Sequence, residues 1–469
     1  MLQKITPRYQ ALLVLVAWGA ILITTGLLRF DAFGIEEGAA RALLLVWSVV
    51  DRVINPIFIL GLPDLRALLF APVGIYWPGS IIAAKVFTAL ITFAAALFFH
   101  NWCQNKYNKE TALIGTGLLL IAPLTLTLID TIAAGPFLLL GFGLGLWINQ
   151  AYRRAERPLG GWFFLQLLLI AILTSIHPIA LAYPAALIME WRKNPIDNRQ
   201  QRHIYIGIAI AIVFTLLIRG GWDDVNWLNN PITALSSIFI NPQITGQASL
   251  ISGIIVAILL ILTLAFNRTL IQDLLGRTLI LAIIIGAACA DNNWALIVLT
   301  LLLYVGGGML TLLNSKIGGS SFIGQRGLTM IILFILATVF MQGDKAQQQH
   351  LAQGLMSPHD FLIQSLTHKL DDSKDDDILV MSQWPGRTIL AIRRPVLPLP
   401  PSYPDSKTLL TNIKGVTHIV FDPLNPDNLN LRDHLAKLTA ISETLSLEQG
   451  GVIVRIDTTQ TQKAAKDAH

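Results

Sequence analysis

"YQALLVLVAWGAILITTGLLRFDAFGIEEGAARA" (Tyr9–Ala42) opens with a long apolar run and then sets down Asp31, Glu36 and Glu37 within a few residues of its end. A helix needs about 20 mainly apolar residues to cross a bilayer. The first part of the stretch is therefore a span, and the acidic part lies where that span leaves the membrane. Three carboxylates at such a boundary either solvate a loop or mark a site at the membrane surface. The rest of the chain has to choose.

The 469 residues are 54% hydrophobic and only 13% charged, against about 25% charged in a soluble domain. A chain of this composition cannot cover its surface with polar groups in water, so it reads as a polytopic membrane protein. Its formal net charge of +5 does not point to nucleic acid. The Lys and Arg residues fall in short loops between apolar runs, the pattern of cytoplasmic membrane loops. Two cysteines, Cys103 and Cys289, lie far apart and offer neither a disulfide framework nor a CxxC metal site. The first run is too long for a signal-peptide core and no small-residue cleavage site follows it, so it is expected to be retained.

Apolar runs centre on 10–28, 80–99, 111–129, 135–150, 161–176, 178–191, 204–219, 249–266, 278–290, 294–313 and 327–341. They predict about 11 transmembrane helices. With Lys4 and Arg8 on the cytoplasmic side, the inner loops collect Lys106, Lys109, Arg153, Arg154, Arg157, Arg192, Lys193, Arg199, Arg202, Arg268, Arg277, Lys316 and Arg326. The short outer loops near 130–135, 177, 221–248 and 290–293 hold no Lys or Arg. This asymmetry predicts a cytoplasmic N-terminus and, with an odd count, an extracytoplasmic C-terminus.

The first outer loop, residues 30–79, breaks the pattern. It contains Ala39–Leu62 and Leu65–Trp77, apolar stretches with scattered charges that predict two interfacial helices. Asp51 and Arg52 argue against a further span, because a charge at the bilayer centre costs at least about 2.5 kcal/mol. The predicted organisation is a transmembrane domain over 1–341, a linker over 342–375 in which the acidic run 371–377 begins, and a small extracytoplasmic α/β domain over 376–457. A polar tail, 458–469, follows. Within the small domain, Ile378–Ser382, Thr388–Ile392, Thr417–Phe421 and Gly451–Ile456 read as strands and 429–447 as one helix.

Three features in this order resemble the GT-C class of membrane glycosyltransferases, especially the branch of the protein O-mannosyltransferases and the lipid A aminoarabinose transferase. The first is "IEEGAARA", whose Glu36 and Glu37 match the acidic pair of that family's first outer loop. The second is "LIAPLTLTLIDTIAAG", which places Asp130 at the acidic position of the second outer loop. The third is "ILVMSQWPGRTILAIRRPVLPLP" (Ile378–Pro400) with "GGVIVRI" (Gly450–Ile456), similar to the closing outer domain of bacterial members. Glu36 stands where the family has Asp. Its His-Pro-Pro-like element has no counterpart beyond "INPIF" (Ile54–Phe58).

The resemblance implies an inverting glycosyltransferase of the bacterial inner membrane. It would move a sugar from a polyprenyl-phosphate donor to a lipid, glycan or protein acceptor at the extracytoplasmic face. Glu36, Glu37 and Asp130 become the candidate catalytic residues, since a carboxylate base contributes roughly 10²–10⁴-fold. Arg41, Arg52, Arg66, Lys85 and Arg219 are candidates to hold the phosphate by charge-assisted bonds. No metal site is specified by spacing, although the acidic residues could take a divalent cation. Membrane lipids and other membrane proteins are expected partners, nucleic acid is not. The alternative is a catalytically inactive GT-C-like scaffold or assembly subunit. His177 in "SIHPIA", "WDDVNW" (Trp222–Trp227) and "CADNNW" (Cys289–Trp294) read as turns rather than sites.

Overall fold

The computed structural model describes residues 16, 18–19, 35–51, 65–154, 160–193, 198–219, 230–239, 247–266, 268–308, 335–336, 338–343, 363, 365–367, 370, 378–399, 408–409, 413, 415–422, 428–437, 442–446 and 452–456. Two compact units emerge. One comprises residues 1–30 with 82–353, the other residues 31–81 with 354–469. The first-loop helices therefore group with the C-terminal part of the chain, which the sequence partition at 341 did not anticipate.

Both expected first-loop helices form. α1 (Glu37–Asp51) carries Glu37 in its first turn, and α2 (Arg66–Tyr76) contains Pro72. Residues 52–64 lie outside the described set. Ala39, Ala40, Leu43 and Trp47 of α1 are buried, at the i, i+4 spacing of one helical face, as are Phe70 and Val73 of α2. Contact between the two helices is close enough that Gly74 has no room for a Cβ beside Val46.

In the other unit, α3 (Ile81–Lys106), α4 (Lys109–Ile121) and α5 (Pro123–Asp130) come first. α6 (Ala134–Arg154), α7 (Gly161–Ile176), α8 (Ala182–Lys193) and α9 (Asn198–Arg219) follow. Then come α10 (Pro231–Ser236), α11 (Gln247–Phe266), α12 (Leu274–Gly286) and α13 (Asn292–Leu301). The predicted span at 111–129 is broken. Ala122 precedes a proline and is extended, Pro123 takes the first position of the next helix, and α4 and α5 meet at a bend of 52°. Among the described residues, α3 and α6 are long and apolar enough to cross a membrane, and the bent pair α4–α5 is a third if it counts as one span. Shorter apolar helices include α7 and α12. The predicted span at 10–28 falls almost wholly, and that at 327–341 for the larger part, outside the described residues.

Ion pairs sort the two ends of this bundle. At one end Lys106 pairs with Asp273, and Glu190 bridges Arg153, at 3.1 Å, and Arg277. At the other, Asp291 Oδ2 accepts from His177 Nε2 at 2.9 Å, and Asn293 Oδ1 accepts from Gly135 N at 2.7 Å. The first end joins loops that the Lys/Arg distribution assigns to one side of the membrane. The second joins the turns near 130–135, 177 and 290–293 assigned to the opposite side.

The small α/β part holds β1 (Val380–Ser382), α14 (Pro385–Ile392), β2 (Val396–Pro398), β3 (His418–Phe421), α15 (Leu429–Lys437), β4 (Ser442–Ser446) and β5 (Val452–Ile456). Strand order is β2-β1-β3-β5-β4. β1 is parallel to both β2 and β3, and β5 is antiparallel to β3 and β4. Met381, Ile419, Phe421, Leu431, Leu435 and Val454 form its core.

Two expectations fail here. Thr388–Ile392 is helical, because Pro385 presets the first turn and Pro385, Thr388 and Ile389, at i, i+3 and i+4, bury one helical face. The helix expected over 429–447 stops at Lys437, and Ser442–Ser446 is a strand whose Thr444 pairs with Val454. Backbone pairing with an adjacent strand outweighs local helix preference in so short a segment.

Candidate active site

Glu36 stands immediately before α1, and its carbonyl accepts from Ala40 N, which starts the helix. Its carboxylate meets Arg66 at 3.3 Å. The Arg66 side chain is 2% exposed and that of Glu36 is 33% exposed. A guanidinium this deeply buried requires a counter-charge, and Glu36 supplies it while keeping part of its surface open. That combination is a positioned, reachable carboxylate beside a fixed cation.

Glu37 is placed differently. Its Oε1 accepts from Gly386 N at 2.8 Å and its Oε2 from Arg387 N at 3.0 Å. Arg41, one turn along α1, adds a third bond to Oε1 at 2.9 Å. Both amides belong to the first turn of α14, whose N-cap, Trp384, offers no side-chain acceptor. Helix N-termini leave such N–H groups unpaired and favour an anion. The carboxylate of Glu37 caps α14 from another part of the chain.

Asp130 belongs to the other unit. It ends α5 and pairs with Lys85 of α3, Oδ1 to Nζ 2.7 Å, with side chains 5% and 2% exposed. Beyond it, Ala133 N bonds to Leu128 O and Ile132 N to Ile129 O, closing the helix with Ile132 at φ 55°. That is a Schellman turn with a β-branched residue in the position usually taken by Gly. A left-handed β-branched residue is a strained, over-determined backbone, and such strain concentrates at functional positions.

Of the candidate cations, Arg66 and Lys85 each hold one carboxylate, and Arg41 is tied to Glu37. Arg52 lies outside the described residues. Arg219 ends α9, with its side chain outside the described set. Among the described residues no three His, Cys, Asp or Glu side chains come together as a metal would need.

The sequence reading passed over the His177–Asp291 pair. Asp291 also caps α13, accepting from Trp294 N at 2.9 Å, and takes a bond from Asn293 Nδ2 at 2.9 Å. His177 Nδ1 accepts from Ile179 N at 3.3 Å, which leaves Nε2 as the donor to Asp291. Burial works to raise the Asp291 carboxyl's pKa. The pairing with His177 outweighs it, helped by the Trp294 and Asn293 donors, and the value falls to about 2. An Asp just before an apolar helix is a readable cap signal; its histidine partner is 114 residues away and is not. The Glu37–α14 contact was likewise missed, although "WPGR" signals a helix start with no cap of its own.

The fold is ArnT-like. Solved structures similar to the chain over nearly its whole length include those of ArnT from Cupriavidus metallidurans. In the apo state the TM-score is 0.57 at 10% identity, covering 95% of this chain and 98% of that one. Bound to undecaprenyl phosphate it is 0.53 at 11% identity, covering 94% and 97%. No family model and no curated protein matches the sequence.

Proposed function

We propose that the chain is a membrane glycosyltransferase that takes a sugar from a polyprenyl-phosphate carrier and passes it, with inversion, to an acceptor at the extracytoplasmic face of a bacterial inner membrane. The observation that carries this reading is the reachable Glu36 carboxylate held by buried Arg66, at the start of a first-loop helix in a GT-C fold. The undecaprenyl phosphate seen with the ArnT neighbour supports a polyprenyl carrier.

Glu36 would take the proton from the acceptor as its oxygen attacks the anomeric carbon. The bond from that carbon to the phosphate oxygen breaks, and polyprenyl phosphate leaves with the electron pair. Arg66 would stabilise the leaving phosphate. The test is transfer of labelled sugar from polyprenyl-phosphate donors by the purified protein in nanodiscs, with Glu36→Gln as the control.

A scaffold role is the second reading. It is favoured by the direct pairing of buried Asp130 with buried Lys85, which satisfies both charges without a substrate. Absence of transfer with any lipid-linked sugar, together with co-purification of another membrane enzyme, would establish it.

A further inference from the structure

The acidic pair divides its labour. We propose that Glu37 is a positioning residue: it docks the C-terminal α/β part onto the first-loop helix and thereby fixes the turn that carries Glu36. The catalytic half of this statement rests on the glycosyltransferase reading above; the docking half does not.

The geometry is specific. Each oxygen of one carboxylate takes a different backbone N–H of the same helix turn, at 2.8 and 3.0 Å. Pro385 occupies the first position of α14 and Trp384 provides no cap, so the helix has no local acceptor for these donors. β1 feeds into α14 at the edge where its two parallel neighbours, β2 and β3, diverge. In open α/β sheets the crevice at such a switch point, beside a helix N-terminus, is where anions bind. Here the anion is a side chain of the same protein.

Close approach is built in on the opposite side of the contact. A Cβ at Gly386 would lie 2.9 Å from Glu37 Oε1 and 3.0 Å from Arg41 Cγ, so glycine is what lets the turn reach the carboxylate. Arg41 braces the same oxygen from within α1. A second contact joins the same elements: Arg393, at the end of α14, lies over the Trp47 ring of α1 at 5.3 Å and donates to Gly79 O at 3.3 Å. Glu36 is the residue before Glu37, and its carbonyl begins α1. Fixing Glu37 fixes the first turn that aims Glu36 at Arg66. With its oxygens committed to three donors, Glu37 has little left for abstracting a proton.

The contact can be removed from either side, which separates positioning from catalysis. Glu37→Gln keeps size but turns an amide NH₂ toward one of the two N–H donors. Gly386→Ala pushes the turn away without altering any charged group. Amide exchange across residues 378–392 and transfer kinetics would be measured for both variants, the double variant and the parent. We expect faster exchange at Gly386 and Arg387 in each variant. Each should lower kcat by roughly tenfold, as displaced catalytic groups do, with KM for the lipid-linked sugar within about twofold. The double variant should match the singles, since both break one contact. Three outcomes overturn the proposal. Unchanged exchange in both variants removes the docking contact. Loss of transfer in Glu37→Gln alone, with Gly386→Ala like the parent, makes Glu37 itself catalytic. Faster exchange with parental kinetics makes the contact structural only. If the parent transfers no sugar, the enzyme reading fails and the exchange measurement alone decides whether Glu37 docks the α/β part.

Discussion

Lys85 Nζ lies 2.7 Å from Asp130 Oδ1, with both side chains withdrawn from solvent. A buried pair of this kind is costly to break from one side only, because the partner is left as an uncompensated charge. Each single loss typically costs 3–5 kcal/mol, whereas replacing both partners with apolar groups is often near neutral. Lys85→Met and Asp130→Leu are each expected to destabilise the protein strongly. The double variant should recover most of that loss, as read by thermal unfolding in detergent. If the pair also serves the reaction, the recovered double variant will fold and still fail to transfer sugar.

For Glu36, the expected result is a separation of activity from folding. Glu36→Gln preserves size and one hydrogen bond to Arg66 but removes the base. Transfer from a polyprenyl-phosphate sugar should fall by about 10²-fold or more per folded molecule, with the stability lost on neutralising the partner of buried Arg66 read separately by thermal unfolding. Transfer equal to the parent's would leave Glu36 as nothing more than a counter-ion for Arg66.

Asp291 gives a pH signature. Its carboxyl is drawn from 3.8 to about 2 in the folded protein, so the folded state binds the proton less well than the unfolded state. The associated stability is therefore fully present above about pH 4 and disappears as pH falls toward 2. A shift of this size corresponds to about 2 kcal/mol. Asp291→Asn should lower the unfolding temperature at pH 7, and the difference from the parent should shrink steadily below pH 4. A constant difference across that window would assign the effect to packing.

Topology is testable by reporter fusions. The bundle end that gathers Arg153, Glu190, Arg277, Lys106 and Asp273 is expected in the cytoplasm. A fusion after Arg157 should report the cytoplasm and one after Gln342 the outside. The reverse pattern would place the carboxylates on the wrong face for the proposed donor.

Much of this was legible in the chain itself. Apolar runs of bilayer length and the segregation of Lys and Arg are local signals, and they anticipate a helical bundle whose basic loops meet at one end. The short motifs around Glu36, Asp130 and "WPGR" point to the GT-C fold, because each keeps its place in the order of elements. What stayed hidden depends on distance along the chain. The short β-rich run Thr388–Ile392 reads as strand until Pro385 and the face it buries make it helix. Ser442–Ser446 becomes a strand only because β5 is there to accept it. Glu36 and Glu37 are neighbours with identical side chains, and nothing local tells them apart. Tertiary structure does: Arg66, 30 residues away, takes one, and the amides of Gly386 and Arg387, some 350 residues away, take the other. An ionised carboxylate is committed by whichever donors reach it, and those donors are brought within 3.3 Å by packing that no single stretch of sequence encodes.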